Sequence, residues 1–244
     1  MSAPNEPISI DWVRIPACEF LMGSNRESDR RMWGNEEPQH PLYVADFWIS
    51  RTTVTNTQYH VFVSETEHRK PEYWINGEIP GGKEDHPVVD VDWHDARSFC
   101  EWLGARLPTE AEWEKASRGV DGRIYPWGNA RPNRRLCNHN FFYGDTLPVG
   151  SQPDGASPYG VLDMGGNVWE WTASKPGPYP YNPGDGRESP GEDGYRVLRG
   201  AAFRTVNPPR CAFRDVGTPA SQNAIFRGIR VARSGDLNPP RSVR

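Results

Sequence analysis

The sequence lacks any long apolar stretch and any recognisable secretory leader. Its longest apolar runs are far too short to cross a bilayer, and the opening MSAPNEPISIDW has no charged segment followed by an apolar one. We therefore predict no membrane partner and, by default, a cytoplasmic location. The net charge is −4 and no long basic stripe is present, which argues against nucleic acid as a partner.

Cysteine is also scarce. The four cysteines are Cys18, Cys100, Cys137 and Cys211, and none forms a C-x-x-C pair or has a histidine at zinc-finger spacing. This pattern predicts free thiols, although spacing alone cannot exclude a disulfide between distant cysteines.

Aromatic residues, glycine and proline are abundant instead. There are 10 Trp, 9 Tyr and 9 Phe, and Gly and Pro number 24 each in 244 residues. This composition predicts an aromatic core in a loop-rich globular fold. No internal repeat or linker is evident, so we expect one domain over 12–234, with an N-terminal arm over 1–11 and a C-terminal tail over 235–244.

Three helices are predicted from their starting signals. Thr55 with Gln58 and Thr109 with Glu112 match the capping box, and Asp92 can cap a helix that Gly104 ends. In the last helix, ending near Ala116, the acidic residues are interpreted as caps and solvated charge. Strand candidates are 12–24, 42–51, 168–172, 195–200 and 228–233, and the polar segment 25–41 is predicted to be a loop.

The segment GGNVWEWT at 165–172 raises a question about Glu170. A carboxylate between two tryptophans is costly if it is buried without a partner. Calcium prefers carboxylate and carbonyl oxygens, and Asp163, Glu170 and the turn 166–168 offer both. A metal-free turn with an exposed Glu170 is the alternative that the residues leave open.

Ten blocks in a fixed order resemble the formylglycine-generating enzyme family, or sulfatase-modifying-factor domain. They are FLMGS (20–24), EEPQHPLYV (36–44), VTNTQYHVF (54–62), HPVVDVDWHDARSFCEWL (86–103), RLPTEAEWEKASRG (106–119), YPWGN (125–129), PVGS (148–151), YGVLDMGGNVWEWT (159–172), RVLRGAAF (196–203) and FRGIRVAR (226–233). The resemblance covers roughly 12–234. It implies a calcium-stabilised α+β fold of C-type-lectin-like type with little regular secondary structure.

The resemblance also implies several activities. Some members oxidise a cysteine to formylglycine with oxygen and copper(I), some form one half of sulfoxide synthases, and others only bind ligands. In the oxidising members two cysteines follow the strand that matches 199–203, at the positions of Thr205 and Arg210 here. Cys211 lies one residue too late. Copper(I) prefers thiolates, so we expect no copper site and no formylglycine-forming activity.

Two calcium sites are implied by the same resemblance. The first would use the side chain of Asp163, the backbone of Gly166 and Val168, and Glu170. The second would use Asn138, with Asp145 as the weaker candidate because this loop differs in length from the family's.

We therefore expect a ligand- or protein-binding module on a calcium-stabilised scaffold. The candidate binding face comprises Trp127, Tyr179, Tyr181, Thr205, Arg210, Phe213 and Arg214, together with the segment 174–194. For each residue, core packing or structural pairing is the alternative, and Arg199 and Arg230 are expected to support the fold through bidentate pairs.

Two enzymatic alternatives stay open. One is a family oxidoreductase with altered chemistry on a peptide or small molecule. The other is a sulfoxide-synthase-type half that needs a separate iron-binding subunit, because none of the six histidines pair on one face of a helix. The sequence does not decide whether the chain is an enzyme, nor its oligomeric state.

Overall fold

The computed structural model describes residues 8–191 and 194–235. Within them lie three α-helices: α1 (Asn56–Thr66), α2 (Trp93–Trp102) and α3 (Glu110–Arg118). Each begins at its predicted cap, because the side chains of Thr55, Asp92 and Thr109 accept a hydrogen bond from the backbone N–H three residues later. The helix predicted to end near Ala116 continues to Arg118.

In the described part of the chain, nine short strands form three small sheets. They are β1 (Trp12–Ile15), β2 (Cys18–Met22), β3 (His40–Val44), β4 (Phe47–Ser50), β5 (Trp169–Trp171), β6 (Tyr195–Gly200), β7 (Arg214–Pro219), β8 (Arg227–Gly228) and β9 (Ala232–Ser234). The sheet orders are β1-β4-β9, β2-β3 and β7-β6-β5-β8, and only the β5–β8 pair is parallel. The predicted mixed, loop-rich α+β architecture is confirmed.

The main core is aromatic, as the composition predicts. Tyr59 and Phe62 of α1 pack against Phe99 of α2, with ring centroids 5.7 and 5.6 Å from that of Phe99. Trp171 of β5 is fully buried in the same cluster, and its indole N–H donates to the Val91 carbonyl at 3.0 Å. Helices α1 and α2 are therefore fixed against the sheet that carries the GGNVWEWT segment.

The proposed N-terminal arm is partly packed. Ile8 and Ile10 lie against the main core cluster, and Asp11 pairs with Arg51 at 2.6 Å. Residues 1–7 of the arm, and 236–244 of the predicted tail, lie outside the described residues. No helix among the described residues is both long and apolar enough to span a membrane.

All four cysteines are free, as predicted. Burial raises the pKa of the Cys137 thiol to about 12 and that of the Cys211 thiol to about 11. At neutral pH the thiols of Cys137 and Cys211 are therefore protonated, which makes them poor nucleophiles.

Candidate functional site

Glu170 lies in β5 and is completely buried, so the alternative of an exposed glutamate is wrong. Arg230 makes a bidentate pair with it, with Nε and Nη2 each 2.7 Å from a carboxylate oxygen. The indole N–H of Trp113 donates to the same carboxylate at 2.5 Å. The predicted supporting role of Arg230 matches these contacts. The charge of Glu170 is thus balanced by Arg230, and its role as a calcium ligand stays a prediction.

Asp163 fits a cation better than Glu170 does. Its backbone has φ +61°, and its carboxylate accepts one hydrogen bond, from the backbone N–H of Gly150 at 2.7 Å. Burial is the main cause that raises the pKa of Asp163 to about 6, and the neighbouring Glu170 charge acts in the same direction. Arg230 lowers the pKa of Asp163 through its charge but makes its contacts with Glu170, so this end of the turn carries negative charge that a proton or a cation would relieve.

The second implied calcium site is only partly assembled. The Asn138 amide donates to the Asp145 carbonyl at 2.8 Å, and its buried Oδ1 atom has no hydrogen-bond partner among the described residues. The Asp145 carboxylate turns away to Lys83, whose Nζ lies 2.7 Å from it. Among the described residues no group of three or more His, Cys, Asp or Glu side chains is placed to hold a metal ion.

The acidic residues of α3 correct another expectation. Glu110 and Glu114 are fully buried, and neither is a solvated surface charge. Glu110 pairs with Arg214, whose Nε lies 2.7 Å away, and Glu114 pairs with Arg199. A capping box at the start of a helix says nothing about burial of the residues that follow, so the sequence pattern could not show this.

Arg210 is buried rather than exposed on a binding face. Its guanidinium donates to Asp29 at 3.0 Å and to both oxygens of Glu36, one of them at 2.7 Å. Glu36 is also fully buried. The position that resembles the second copper-binding cysteine is therefore occupied by an ion pair with the 25–36 segment.

Arg214 is likewise a structural partner. In addition to Glu110, it donates to the carbonyls of Asn35 and Gly177 at 3.0 and 3.2 Å. The ring of Tyr179 lies 4.4 Å from its guanidinium carbon, and the Tyr179 hydroxyl donates to Glu110. Tyr179 thus covers a buried ion pair.

The remaining residues of the predicted face are dispersed. Tyr181 is buried, and its hydroxyl donates to Glu188. Trp127 stacks on Tyr125 with ring centroids 5.2 Å apart and donates to the Ala130 carbonyl. The Thr205 hydroxyl accepts a hydrogen bond from the Ala202 N–H at 2.9 Å. Each of these side chains therefore has a structural role, and they do not form one surface. Part of the 174–194 segment, residues 192–193, lies outside the described residues.

Phe213 does line a cleft, together with two tryptophans that the sequence reasoning did not select. The Phe213 ring lies 5.1 Å from Trp169 and 5.9 Å from Trp33. The cleft has a volume of about 260 Å³, and its other lining residues are Asn35, Arg214, Asp215, Val216 and Gly217. Trp33 is half exposed, at 50%, whereas Trp169 and Phe213 form the buried floor. We call these three rings and Asp215 the aromatic cleft.

The charge of the aromatic cleft comes from Asp215. Its carboxylate accepts the Gly217 N–H at 2.9 Å, which fixes its orientation at the edge of β7. Within the described residues Asp215 makes no ion pair closer than 4.0 Å, whereas the Arg214 guanidinium is directed to Glu110, 2.7 Å from its Nε. The cleft therefore combines aromatic faces with a carboxylate that forms no ion pair within 4.0 Å among the described residues.

Comparison with known proteins supports the resemblance. The family model described as the sulfatase-modifying factor enzyme 1-like domain matches residues 3–235. Hercynine oxygenase from Mycolicibacterium smegmatis is 34% identical over 263 residues, which cover 90% of this chain and 60% of that protein. An inactive C-alpha-formylglycine-generating enzyme 2 from Bos taurus is 33% identical over 291 residues, which cover 95% of this chain and 90% of that protein.

Two solved structures give the same result for the fold. PvdO from Pseudomonas aeruginosa superposes with a TM-score of 0.76 and 26% identity, covering 95% of this chain and all of that chain. Treponema denticola variable protein 1 has a TM-score of 0.74 at 20% identity, over 94% and 99% of the two chains. The second likeness concerns the fold alone. The chain spans about 60% of the length of the hercynine oxygenase that it matches.

Proposed function

Because the chain belongs to the sulfatase-modifying factor family, whose members include enzymes and at least one protein named inactive, we propose that it is a ligand-binding member. The proposed site is the aromatic cleft, and the proposed ligand carries a compact organic cation, either as a small molecule or as part of a protein. The observation that carries the proposal is the placement of Trp33, Trp169 and Phe213 around one pocket beside Asp215.

The chemistry of this pocket favours a cation. Aromatic faces attract an ammonium group through their quadrupole, most strongly when water is excluded. Asp215 adds a negative charge at the same edge. The volume of about 260 Å³ suits a head group better than a large ligand. A quaternary ammonium with a short tail matches the size, the charge and the apolar walls.

The residues at the two cysteine positions support a binding role without copper chemistry. The Thr205 hydroxyl is not a copper(I) ligand of choice, and Arg210 places a positive charge where a second thiolate would be needed. Cys211 is buried, its pKa is raised to about 11, and it lies 3.2 Å from the Ser117 hydroxyl. We propose that copper-dependent cysteine oxidation is absent.

We also propose a structural calcium ion at the Asp163 turn. The Asp163 carboxylate and the backbone oxygens of Gly166 and Val168 would hold it, with Glu170 contributing little because Arg230 occupies it. Bound there, the ion would supply charge compensation for Asp163. Asn138, whose Oδ1 accepts no hydrogen bond from the residues that the structure describes, is the first candidate for a second ion.

The test of the binding proposal uses choline and its uncharged carbon isostere, 3,3-dimethyl-1-butanol, in calorimetric titrations. We expect saturable binding of choline and at least tenfold weaker binding of the isostere, since the two differ mainly in charge. Trp33→Ala and Asp215→Asn should each weaken choline binding at least fivefold. Hercynine, named in the relatives, is a further probe of the same cleft.

The control is Tyr43→Ala, which removes an exposed ring on β3 that does not line the cleft. It should leave choline affinity unchanged. Equal binding of choline and the isostere, or unchanged binding in Trp33→Ala, would contradict the organic-cation site.

A second candidate function rests on the 60% coverage of the hercynine oxygenase. The match leaves part of that relative uncovered, and an oxygen-dependent enzyme of this kind would need that part, for example from a separate subunit. Stoichiometric copper(I) binding with oxygen-dependent oxidation of a thiol peptide would instead favour a complete oxidase. Co-purification with an iron protein would favour the two-subunit enzyme.

A further inference from the structure

We infer that Arg210 is a positioning residue that holds the outer wall of the aromatic cleft in place. This inference rests on the proposed function, because it concerns the same cleft. Arg210 does not line the cleft; it acts through Trp33 on one side and Phe213 on the other.

The guanidinium of Arg210 is 1% exposed and binds two residues of the 25–36 segment. It bridges the Asp29 and Glu36 carboxylates, which lie 181 and 174 residues away in the sequence. The 25–36 segment is largely polar, and its Arg26, Arg30 and Arg31 are exposed. With little apolar surface to bury, this segment depends on the buried ion pairs for its position.

Glu36, which Arg210 binds, also positions Trp33. A single turn of 3₁₀ helix spans Gly34–Glu36, and a Glu36 carboxylate oxygen accepts the Trp33 backbone N–H at 3.3 Å. The same carboxylate therefore binds Arg210 and closes the turn on which Trp33 stands. Arg214 adds one contact to this turn through the Asn35 carbonyl.

Phe213 is held from the other side of the same arginine. The Phe213 N–H donates to the Arg210 carbonyl at 3.0 Å, and the Arg210 guanidinium lies 5.5 Å from the Phe213 ring centroid. Arg210 thus accepts the backbone hydrogen bond that positions Phe213, and its side chain binds Glu36, which positions Trp33. The 5.9 Å spacing of these two rings follows from both contacts.

An arginine is needed here because its planar fork can bind two carboxylates at once. A lysine ammonium keeps the charge but cannot reproduce the paired N–H geometry. The substitution Arg210→Lys therefore preserves the charge while removing the clamp. This makes it a sharper variant than Arg210→Ala, which would leave two buried carboxylates unpaired.

The experiment follows the 25–36 segment and the cleft separately in Arg210→Lys. Limited trypsin digestion at Arg26, Arg30 and Arg31 reports opening of the segment, and choline titration reports the cleft. We expect at least tenfold faster cleavage and at least fivefold weaker choline binding. Asp29→Asn removes only the Arg210–Asp29 ion pair and should give the same changes to a smaller extent. It replaces Arg210→Lys in the experiment if that variant does not fold.

The matched control is Arg227→Lys, a buried arginine that donates to the Gln222 carbonyl away from this segment. It should leave the trypsin rate at 26–31 unchanged. An Arg210→Lys protein that keeps the segment protected would overturn the inference, whatever its choline affinity. Faster cleavage with unchanged choline affinity would also overturn it.

The failure of the proposed function can be told apart from the failure of this inference. If the unmodified protein binds no choline, the organic-cation proposal fails. In that case the fluorescence of Trp33, taken as the difference from a Trp33→Phe protein, replaces the titration. A blue-shifted Trp33 emission that moves to the red in Arg210→Lys supports the positioning role, and an unchanged emission contradicts it.

Discussion

Glu170 stands between two tryptophans, and its carboxylate is balanced by a residue 60 positions later in the chain. Arg230 uses all of its N–H groups: it binds Glu170 and donates to the carbonyls of Ser50, Arg51 and Leu162. Three parts of the chain therefore meet at one side chain. This connection explains why a charge is kept in the core of the sheet.

Replacing Glu170 by Gln should destabilise the protein strongly. The glutamine would face Arg230 with one acceptor and one competing donor, leaving a buried guanidinium without its counter-charge. Loss of one partner from a buried pair costs about 3–5 kcal/mol. Chemical denaturation monitored by circular dichroism measures the change in the free energy of unfolding.

Glu101→Gln is the matched control, because Glu101 forms an ion pair with Arg97 on the exposed side of α2. This pair should contribute no more than about 0.5 kcal/mol. Equal losses in the two variants would show that the Glu170–Arg230 pair is not the stabilising contact that its burial indicates.

At this scale the sequence predicted the pairing role of Arg230 but not its partner. Glu170 and Arg230 are brought together by β5 and the segment that joins β8 to β9, and no local pattern encodes that approach. Trp33 was missed for a similar reason. It lies in a polar loop, and only the distant Arg210–Glu36 pair places it beside Phe213.

Among the elements, α3 combines the most predictable and the least predictable features. Its start follows from Thr109 and Glu112, whose side chain accepts the Thr109 N–H at 2.8 Å. The burial of its later residues does not follow from the sequence. Lys115 is fully buried and donates to the carbonyls of Pro16, Cys18 and Val44. A helix rich in charge would ordinarily be assigned to the surface.

Thr109→Ala should lower the stability of the protein by about 1 kcal/mol, the usual contribution of an N-cap side chain. The variant loses the hydrogen bond from the Glu112 N–H at 3.1 Å while the packing of α3 is retained. Thermal unfolding measures this change in the free energy of unfolding. Thr109→Ser keeps the cap oxygen and should stay within a few tenths of a kcal/mol of the original; a loss equal to that of the alanine variant would assign the effect to the methyl group.

Strand β7 shows where element prediction from sequence stops. Its residues, RDVGTP, contain a glycine and a proline and no alternation of apolar and polar positions. It forms because β6 offers a free edge, and a register shift between Arg196 and Leu198 accommodates it. The partner strand therefore determines β7 more than its own sequence does.

For the whole molecule, the ordered blocks predicted the family and the loop-rich architecture because each block is a local feature of the chain. The residues of the predicted binding face are dispersed, because a surface depends on which side of the fold each side chain faces; Phe213 and Arg214 are the two of them that line the aromatic cleft. Four of its seven members, Tyr181, Arg210, Phe213 and Arg214, are buried. Burial is a property of the assembled fold, and single-sequence patterns report it poorly in a fold with so little regular structure.

The calcium proposal makes a prediction for the stability of the entire domain. Chelation should lower the melting temperature, because a ligand that binds only the folded state stabilises it by mass action. At saturation of about 100 times the dissociation constant, the loss is roughly 2.7 kcal/mol, or about 5–10 °C for a chain of this size. Differential scanning calorimetry with and without chelator measures it.

Asp163→Asn is the variant that identifies the site. It removes the carboxylate but keeps an acceptor for the Gly150 N–H, so the chelator effect should disappear while the fold is retained. If the chelator still lowers the melting temperature of Asp163→Asn, the ion binds at another site, and Asn138 is the first candidate. No effect in the unmodified protein would remove calcium from the scaffold.

The sheet that joins β1, β4 and β9 has a consequence for protein engineering. Strands β1 and β9 both pair with β4, so the first and last described strands are separated by only one strand. From strand spacing and rise, the outer ends of β1 and β9 are on the order of 15 Å apart. A linker that spans this gap and leaves the packed residues 8–11 in place would allow circular permutation and insertion of the domain into a surface loop of a host protein.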